Sequence, residues 1–166
     1  MFKSILNYFF FIPKFFPYIK NKKKIRPYFG LPKRNYGGPN IRTKKMIKSF
    51  GNYLFSPNII YAQSWWEEKE LEDALCFSKK HNVPIVFNQN GWFYEAWYKN
   101  NWKKRNHTLI KIQKISKRVI YQSKFCKSAS KKLNNYISKN SSIIYNPALI
   151  KPKSKPKKAL NKKNKF

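Results

Sequence analysis

Three consecutive amide side chains form the part of this sequence best suited to bind a ligand. They are Asn88, Gln89 and Asn90. They follow the apolar run Ile85–Phe87, and Gly91 breaks the pattern directly after them. An amide both donates and accepts hydrogen bonds, so a group of amides suits the hydroxyls of a sugar or nucleoside. Trp92 and Tyr94 come next, and they either offer ring faces to such a ligand or pack inward beneath a capped turn.

Glu95 is the carboxylate nearest to these amides in the sequence. A carboxylate that meets a ligand hydroxyl can accept its proton, so Glu95 is the candidate catalytic base. The other five acids lie within residues 67–73, at the start of a helical pattern, where they complement the helix dipole. Ser64 and Glu67 have the spacing of a capping box, which also indicates that this acid cluster stabilises a helix.

An apolar-to-polar pattern occurs four times along the chain, each time with β-branched residues and an aromatic residue leading into amides or hydroxyls. The copies are Ile59–Tyr61, Ile85–Phe87, Val119–Tyr121 and Ile143–Tyr145. Helix-like sequence separates them, and their starts are about 24 to 34 residues apart, the length of a βαβ unit. Parallel strands joined by right-handed crossovers end at one edge of a sheet, where α/β proteins bind ligands. The sequence therefore predicts an α/β fold with these segments as neighbouring parallel strands.

Polar residues from several strand ends are expected to lie together at that edge. The predicted pocket contains Gly37, Gly38, Asn88, Asn90, Gly91 and Gln122. The glycine pair begins a helix, so a ligand can approach the backbone there, and Asn90 is predicted to bind the ligand directly. Ser123 is predicted to cap the next helix. In that helix a buried stripe is expected at Phe125, Ala129, Leu133 and Tyr136.

The chain is strongly basic, with 37 lysine and arginine residues against 6 acids and a net charge of +31 over 166 residues. Such a charge attracts nucleic acid, anionic lipid or phosphorylated ligands, although A·T-rich coding DNA would also raise the lysine content. Cys76 and Cys126 do not suggest a disulfide framework. Together with His81 and His107 they do not make a four-ligand metal site, so no metal and no cofactor are predicted.

The two ends differ from the middle of the chain. Residues 1–24 mix aromatic residues with lysine and lack a run of about 20 apolar residues, so they suit an interfacial membrane anchor or a ragged N-terminus. Residues 151–166 are rich in lysine and are predicted to form a disordered tail. The predicted organisation is a Rossmann-like domain over residues 25–150 with flexible basic termini.

Five segments, in this order and spacing, resemble the N-terminal, acceptor-side domain of group-one, family-four glycosyltransferases of the GT-B fold. They are GGPNIRTKKM, NIIY, PIVFNQNGWFYEAWY, RVIYQSKFCK and IIYNP, and the resemblance covers about residues 28–149. It implies one Rossmann-like half of a two-domain enzyme whose active site lies in the cleft between the halves. The N-terminal half of such enzymes mainly binds the acceptor, the C-terminal half binds the nucleotide sugar, and a metal is usually not needed.

The resemblance also assigns site residues by position. Gly37 and Gly38 match the loop after the first strand, and Gln122, Ser123 and Lys124 match the polar edge after a later strand. Asn90 with Gly91 stands where many members have a His-Gly pair, so a role of that histidine does not carry over. Asn146 and Pro147 resemble the point where family chains cross to the donor domain, but here a lysine-rich tail follows.

The resulting expectation is an acceptor-binding domain that transfers sugar only with a separate donor-domain chain. Its acceptor would be a saccharide or a lipid-linked molecule, and its location cytoplasmic, with peripheral attachment to the inner face of the membrane. Whether this chain alone is an enzyme stays open. The alternative is a basic protein without catalysis that binds nucleic acid or a membrane surface, since exposed aromatic residues and lysines suit single strands.

Overall fold

The computed structural model describes residues 24–32 and 37–145. In these residues strands and helices alternate. The strands are β1 (Pro27–Tyr28), β2 (Ile59–Gln63), β3 (Ile85–Gln89), β4 (Arg118–Tyr121) and β5 (Ser141–Ile143). The helices are α1 (Gly38–Phe50), α2 (Glu68–His81), α3 (Trp102–Ile115) and α4 (Lys124–Asn134). The predicted tail, the position of Asn146 and Pro147, and all but the last residue of the predicted N-terminal anchor lie outside the described residues.

The strands form one parallel sheet in the order β1-β2-β3-β4-β5. The prediction of neighbouring parallel strands is confirmed, and the chain has a Rossmann-like α/β fold. The bounds predicted for the last strand were wrong, because β5 begins at Ser141 and ends at Ile143. Pairing with β4 sets these bounds: Ser141 lies opposite Val119, and the Arg118 side chain donates to Ser142 Oγ at 2.7 Å.

The core lies between one face of the sheet and the helices α2 and α3. Ile60, Phe87 and Val119 point to that face, since alternate residues of paired strands share a side. Leu71 of α2 and Leu109 of α3 pack against them, and all five side chains are almost fully buried. Burial of each such side chain contributes about 1.5–3 kcal/mol relative to exposure, so this layer fixes where the strand ends lie.

The predicted capping box at Ser64 was wrong. The helix α2 begins at Glu68, and Glu67 occupies the N-cap position without a side-chain capping bond. Residues before it form a turn, in which the Trp66 N–H donates to the Gln63 carbonyl at 3.0 Å. The Ser64 hydroxyl instead accepts a hydrogen bond from the Asn90 backbone, so it serves the end of the neighbouring strand. The predicted cap Ser123 is confirmed, because its Oγ accepts from the Cys126 N–H at 3.0 Å.

The stripe predicted for α4 was wrong in part. Ala129 is half-buried and packs against the core, and Tyr136 lies beyond the helix, which ends at Asn134. Phe125 and Leu133 are exposed, whereas Cys126 and Ser130 are buried. The buried side of α4 is polar and small because it meets backbone carbonyls. The Cys126 thiol donates to the Asn90 carbonyl at 3.1 Å, and the Ser130 hydroxyl donates to the Tyr136 carbonyl at 2.7 Å.

None of the helices in the described part of the chain is long and apolar enough to cross a membrane.

Candidate functional site

Amide side chains from three neighbouring strand ends meet at the carboxyl edge of the sheet. Gln63 and Asn88 lie opposite one another in β2 and β3 and therefore share a face. The Gln122 side chain, directly after β4, donates to Asn90 Oδ1 and lies 3.4 Å from Asn88 Oδ1. The name amide edge is used below for Gln63, Asn88, Asn90 and Gln122. The predicted meeting of Asn88, Asn90 and Gln122 is found in the structure.

Arg42 brings a cation to the amide edge from the helix α1. Its Nη2 lies 3.3 Å from Asn90 Oδ1 and 3.4 Å from Gln63 Oε1. Next to it, Thr43 Oγ1 accepts a hydrogen bond of 2.7 Å from the Gln63 side chain, which ties α1 to β2. Burial lowers the pKa of Arg42, and the neighbouring Tyr61 opposes this shift. The sequence analysis missed Arg42 and Gln63, although Arg42 lies one turn after the predicted glycine pair.

The glycine pair contributes the start of α1 to the site. Gly37 is the N-cap residue with φ 86°, a backbone conformation that favours glycine, and its carbonyl accepts from the Ile41 N–H at 3.1 Å. Gly38 is the first residue of α1 and is exposed. The pair therefore sets the direction of the helix that carries Arg42. No described contact joins either glycine directly to the amide edge.

The backbone of Asn90 is held on both sides. Its N–H donates to Ser64 Oγ at 2.9 Å, and its carbonyl accepts from the Cys126 thiol at 3.1 Å. Ser64 follows β2 and Cys126 lies in the first turn of α4, so the two neighbouring crossovers fix this residue. Asn90 is half-buried, and its side-chain oxygen lies between Arg42 and Gln122. These contacts hold the Asn90 side chain in place before any ligand binds.

The aromatic loop after β3 divides into buried and exposed rings. Trp92 is only 5% exposed and belongs to the core, so of the two alternatives it packs inward and does not offer a ring face to a ligand. Tyr94 is exposed, as the prediction for it requires, and Trp97, which the sequence analysis did not single out, is 55% exposed. Their ring centroids are 5.9 Å apart. Asn106 fixes the loop, because its side chain bonds both the N–H and the carbonyl of Phe93, at 3.0 and 2.8 Å.

Three predicted residues lie at the border of the site. Glu95 is exposed on the aromatic loop, and no described contact joins its carboxylate to the amide edge. Gly91 is half-buried, and its carbonyl accepts from the Gln89 side chain. Lys124 is exposed at the start of α4, which Ser123 caps. A catalytic role of Glu95 stays a prediction that the geometry does not support.

A second amide system lies on the opposite face of the same strands. The Gln113 side chain of α3 donates to Gln89 Oε1 at 2.9 Å and accepts from the Tyr121 hydroxyl at 3.1 Å. We call Gln89, Gln113 and Tyr121 the inner amide chain. All three side chains are fully buried. The chain ends at the Gly91 carbonyl and so supports the loop that follows β3.

Within residues 24–32 and 37–145, no group of three or more histidine, cysteine, aspartate or glutamate side chains is placed to hold a metal ion. The sequence-based prediction about metals and cofactors stays a prediction.

No protein-family model matches this chain, and no curated protein or solved structure matches it either. The resemblance to glycosyltransferase acceptor domains therefore rests on the five sequence segments alone.

Proposed function

We propose that the domain binds the acceptor of a glycosyl transfer, a saccharide or a lipid-linked sugar, at the amide edge. The observation that supports this most is the environment of Asn90 Oδ1. It lies between the Arg42 guanidinium and the Gln122 amide, which come from two different elements. Amide and guanidinium groups at the ends of parallel strands suit a ligand that presents several hydroxyls in a fixed pattern.

The hydrogen bonds of Arg42 are long, so a ligand could replace them. Its distances of 3.3 and 3.4 Å to Asn90 and Gln63 exceed the usual N–H···O distance of about 2.9–3.0 Å. Hydroxyl oxygens of a bound sugar would replace these long contacts with shorter ones at little cost. Tyr94 and Trp97, on the adjacent loop, would cover an apolar face of the sugar ring.

Amides orient a hydroxyl but are poor bases, so the transfer step needs groups beyond the amide edge. In this proposal a separate donor-domain chain supplies the nucleotide sugar and completes the cleft. The reaction takes place in the cytoplasm, with the domain attached peripherally at the inner face of the membrane. We expect the purified chain alone neither to hydrolyse a UDP- or GDP-sugar nor to transfer from one, which a turnover assay with both nucleotide sugars checks. Steady turnover that disappears in Asn90→Ala would contradict the need for a partner.

The binding test is a calorimetric titration of the full chain with a panel of mono- and disaccharides. We expect at least one saccharide to bind, and Asn90→Ala to weaken its binding by about tenfold or more, because two hydrogen-bonding groups lose their common partner. The matched control is Asn140→Ala. Asn140 is an exposed amide directly before β5, at the opposite edge of the sheet, and its replacement should leave affinity unchanged.

Two outcomes would reject the proposal. If Lys131→Ala loses affinity and Asn90→Ala does not, the ligand binds the basic helix α4 and not the amide edge. If no saccharide binds, but a single-stranded oligonucleotide does and Trp97→Ala weakens it, the exposed rings serve nucleic acid, for which base stacking contributes about 1–3 kcal/mol per base.

A further inference from the structure

The helix α4 turns its larger apolar side chains to solvent and its smaller side chains to the sheet. Phe125 is 77% exposed and Leu133 is 53% exposed, whereas Cys126 and Ser130 are buried. Residues eight positions apart lie near one another around a helix, and Ala129, which stands between these two, is half-buried and packs against the core. The apolar strip of α4 therefore consists of Phe125 and Leu133, two side chains that the core does not use.

Four lysines accompany this strip. They are Lys124, Lys127, Lys131 and Lys132. The sequence of α4 contains no acid, and five of the six acids of the chain lie within residues 67–73. Across the described parts of the chain, none of the four lysines makes an ion pair. The face of α4 thus combines an apolar strip with a positive charge that the domain does not neutralise.

Further apolar side chains lie near the start of α4. Ile144 and Tyr145 are exposed directly after β5. The Ile144 N–H donates to the Tyr121 carbonyl at 2.9 Å, and Ser123, the cap of α4, follows Tyr121 by two residues. The chain that leaves β5 therefore runs beside the chain that enters α4. Exposed apolar groups occur on both, at the same edge of the sheet.

We propose that this surface, the outer face of α4 with Phe125 and Leu133, docks the domain on an anionic phospholipid bilayer. Apolar side chains on such a face enter the boundary between headgroups and acyl chains. Lysine stems extend so that their ammonium groups stay in the hydrated layer of acidic headgroups. The charge of α4 is complementary to that layer, and the apolar strip matches the layer beneath it.

The same features fit other partners less well. Leucine has no ring face on which a base can stack, so Leu133 would contribute little to single-stranded nucleic acid. A protein partner would have to desolvate lysines and supply buried acids for them, which is costly. At a bilayer the ammonium groups keep their water. The surface includes no residue of the amide edge, so the inference does not depend on acceptor binding, but it rests on the peripheral membrane attachment that the proposed function includes.

The test is co-sedimentation of the full chain with vesicles of phosphatidylglycerol and phosphatidylcholine in equal parts, and with vesicles of phosphatidylcholine alone. The first variant is Lys131→Glu with Lys132→Glu, and the second is Phe125→Ser with Leu133→Ser. We expect the wild type to bind the mixed vesicles in a salt-sensitive way, and each variant to bind them about tenfold more weakly or worse. Circular dichroism and thermal unfolding verify that both variants fold.

Matched controls separate α4 from the general charge of the chain. Lys45→Glu with Lys48→Glu makes the same charge change on the exposed face of α1, and Ile115→Ser removes an exposed apolar residue at the end of α3. Both controls should change vesicle binding by less than about twofold. If the α1 pair loses as much binding as the α4 pair, or if Phe125→Ser with Leu133→Ser binds like the wild type, the docking surface is rejected.

A parallel titration with a single-stranded RNA homopolymer provides the competing outcome. If the α4 variants lose RNA binding and keep vesicle binding, α4 is a nucleic-acid surface and the bilayer proposal fails. The acceptor-binding proposal fails by a different result: it fails if every amide-edge variant binds saccharides as well as the wild type does. The two proposals are therefore distinguishable.

Discussion

The amide edge and the inner amide chain lie on opposite faces of the same strands and are built from the same kinds of side chain. In the inner amide chain Gln89, Gln113 and Tyr121 are fully buried and joined at 2.9 and 3.1 Å. At the amide edge Gln63 and Asn88 are also buried, but Asn90 and its partners Arg42 and Gln122 are half-buried, and the Arg42 contacts are longer.

This difference separates an amide that holds a core together from an amide that is available to a ligand. A fully buried hydrogen-bond chain has no water to replace a lost partner, so every member is needed for stability. A half-buried group keeps contact with water and can exchange partners at small cost. The inner amide chain should therefore respond to mutation through stability, and the half-buried Asn90 of the amide edge through binding.

The largest effect is expected for Gln113→Leu. This change leaves the Tyr121 hydroxyl and Gln89 Oε1 buried without their partner, and each such group costs about 1–3 kcal/mol. The free energy of unfolding should fall by about 2–4 kcal/mol, measured by urea denaturation. The control Gln122→Leu should cost less, about 1 kcal/mol, because one of its two partners, Asn90, is half-buried and keeps contact with water, although the other, Asn88, is buried. Equal losses in the two variants would remove the distinction between the faces.

A smaller effect is expected for Ser64→Ala. Ser64 is buried, and its hydroxyl accepts from the Asn90 N–H, so removal should cost about 1–2 kcal/mol and speed hydrogen exchange at that amide. Ser123→Ala removes a true helix cap and should cost about 1 kcal/mol without changing exchange at Asn90. If Ser64→Ala instead frays the first turn of α2 and leaves Asn90 protected, the capping box predicted from the sequence would be right after all.

Asn90→Ala is expected to cost less than about 1 kcal/mol of stability, because its partners remain in contact with water. Its acceptor affinity should nevertheless fall as described above. The comparison requires the free energy of unfolding, from urea denaturation, and the saccharide affinity, from calorimetry, of the same protein preparation. A loss of stability as large as that of Gln113→Leu would show that the amide edge belongs to the core.

The smallest effect concerns alkaline pH. Burial raises the pKa of Tyr121, and burial also raises the pKa of Tyr61, where the charge of Arg42 opposes the shift. Because these folded-state pKa values lie above the unfolded value, the associated stability is present below about pH 10 and is lost as the pH rises further. Tyr121→Phe and Tyr61→Phe should each flatten the fall of unfolding free energy above that pH. A slope equal to that of the wild type in both variants would contradict these shifts.

Much of the fold could be predicted because strand patterns are local. The runs at residues 59–61, 85–87 and 119–121 lie in β2, β3 and β4, since a β-branched or aromatic run covered by helices has few other stable arrangements. The crossovers between them made a parallel sheet the expected result. The meeting of Asn88, Asn90 and Gln122 followed from that geometry, because parallel strands end at one edge.

What the sequence by itself determined, then, was the order of the elements and the edge at which the amides lie. Only the tertiary structure decided which amide faces the core, because Asn88 and Gln89 are neighbours in the chain and alternate sides are chosen by the layers that pack on them. It also brought Arg42 to Asn90 across 48 positions of sequence. In the tertiary structure Ser64 binds the Asn90 backbone and does not cap a helix, and Phe125 is exposed to solvent. The reason is that contacts between distant segments outweigh local spacing once the core is packed.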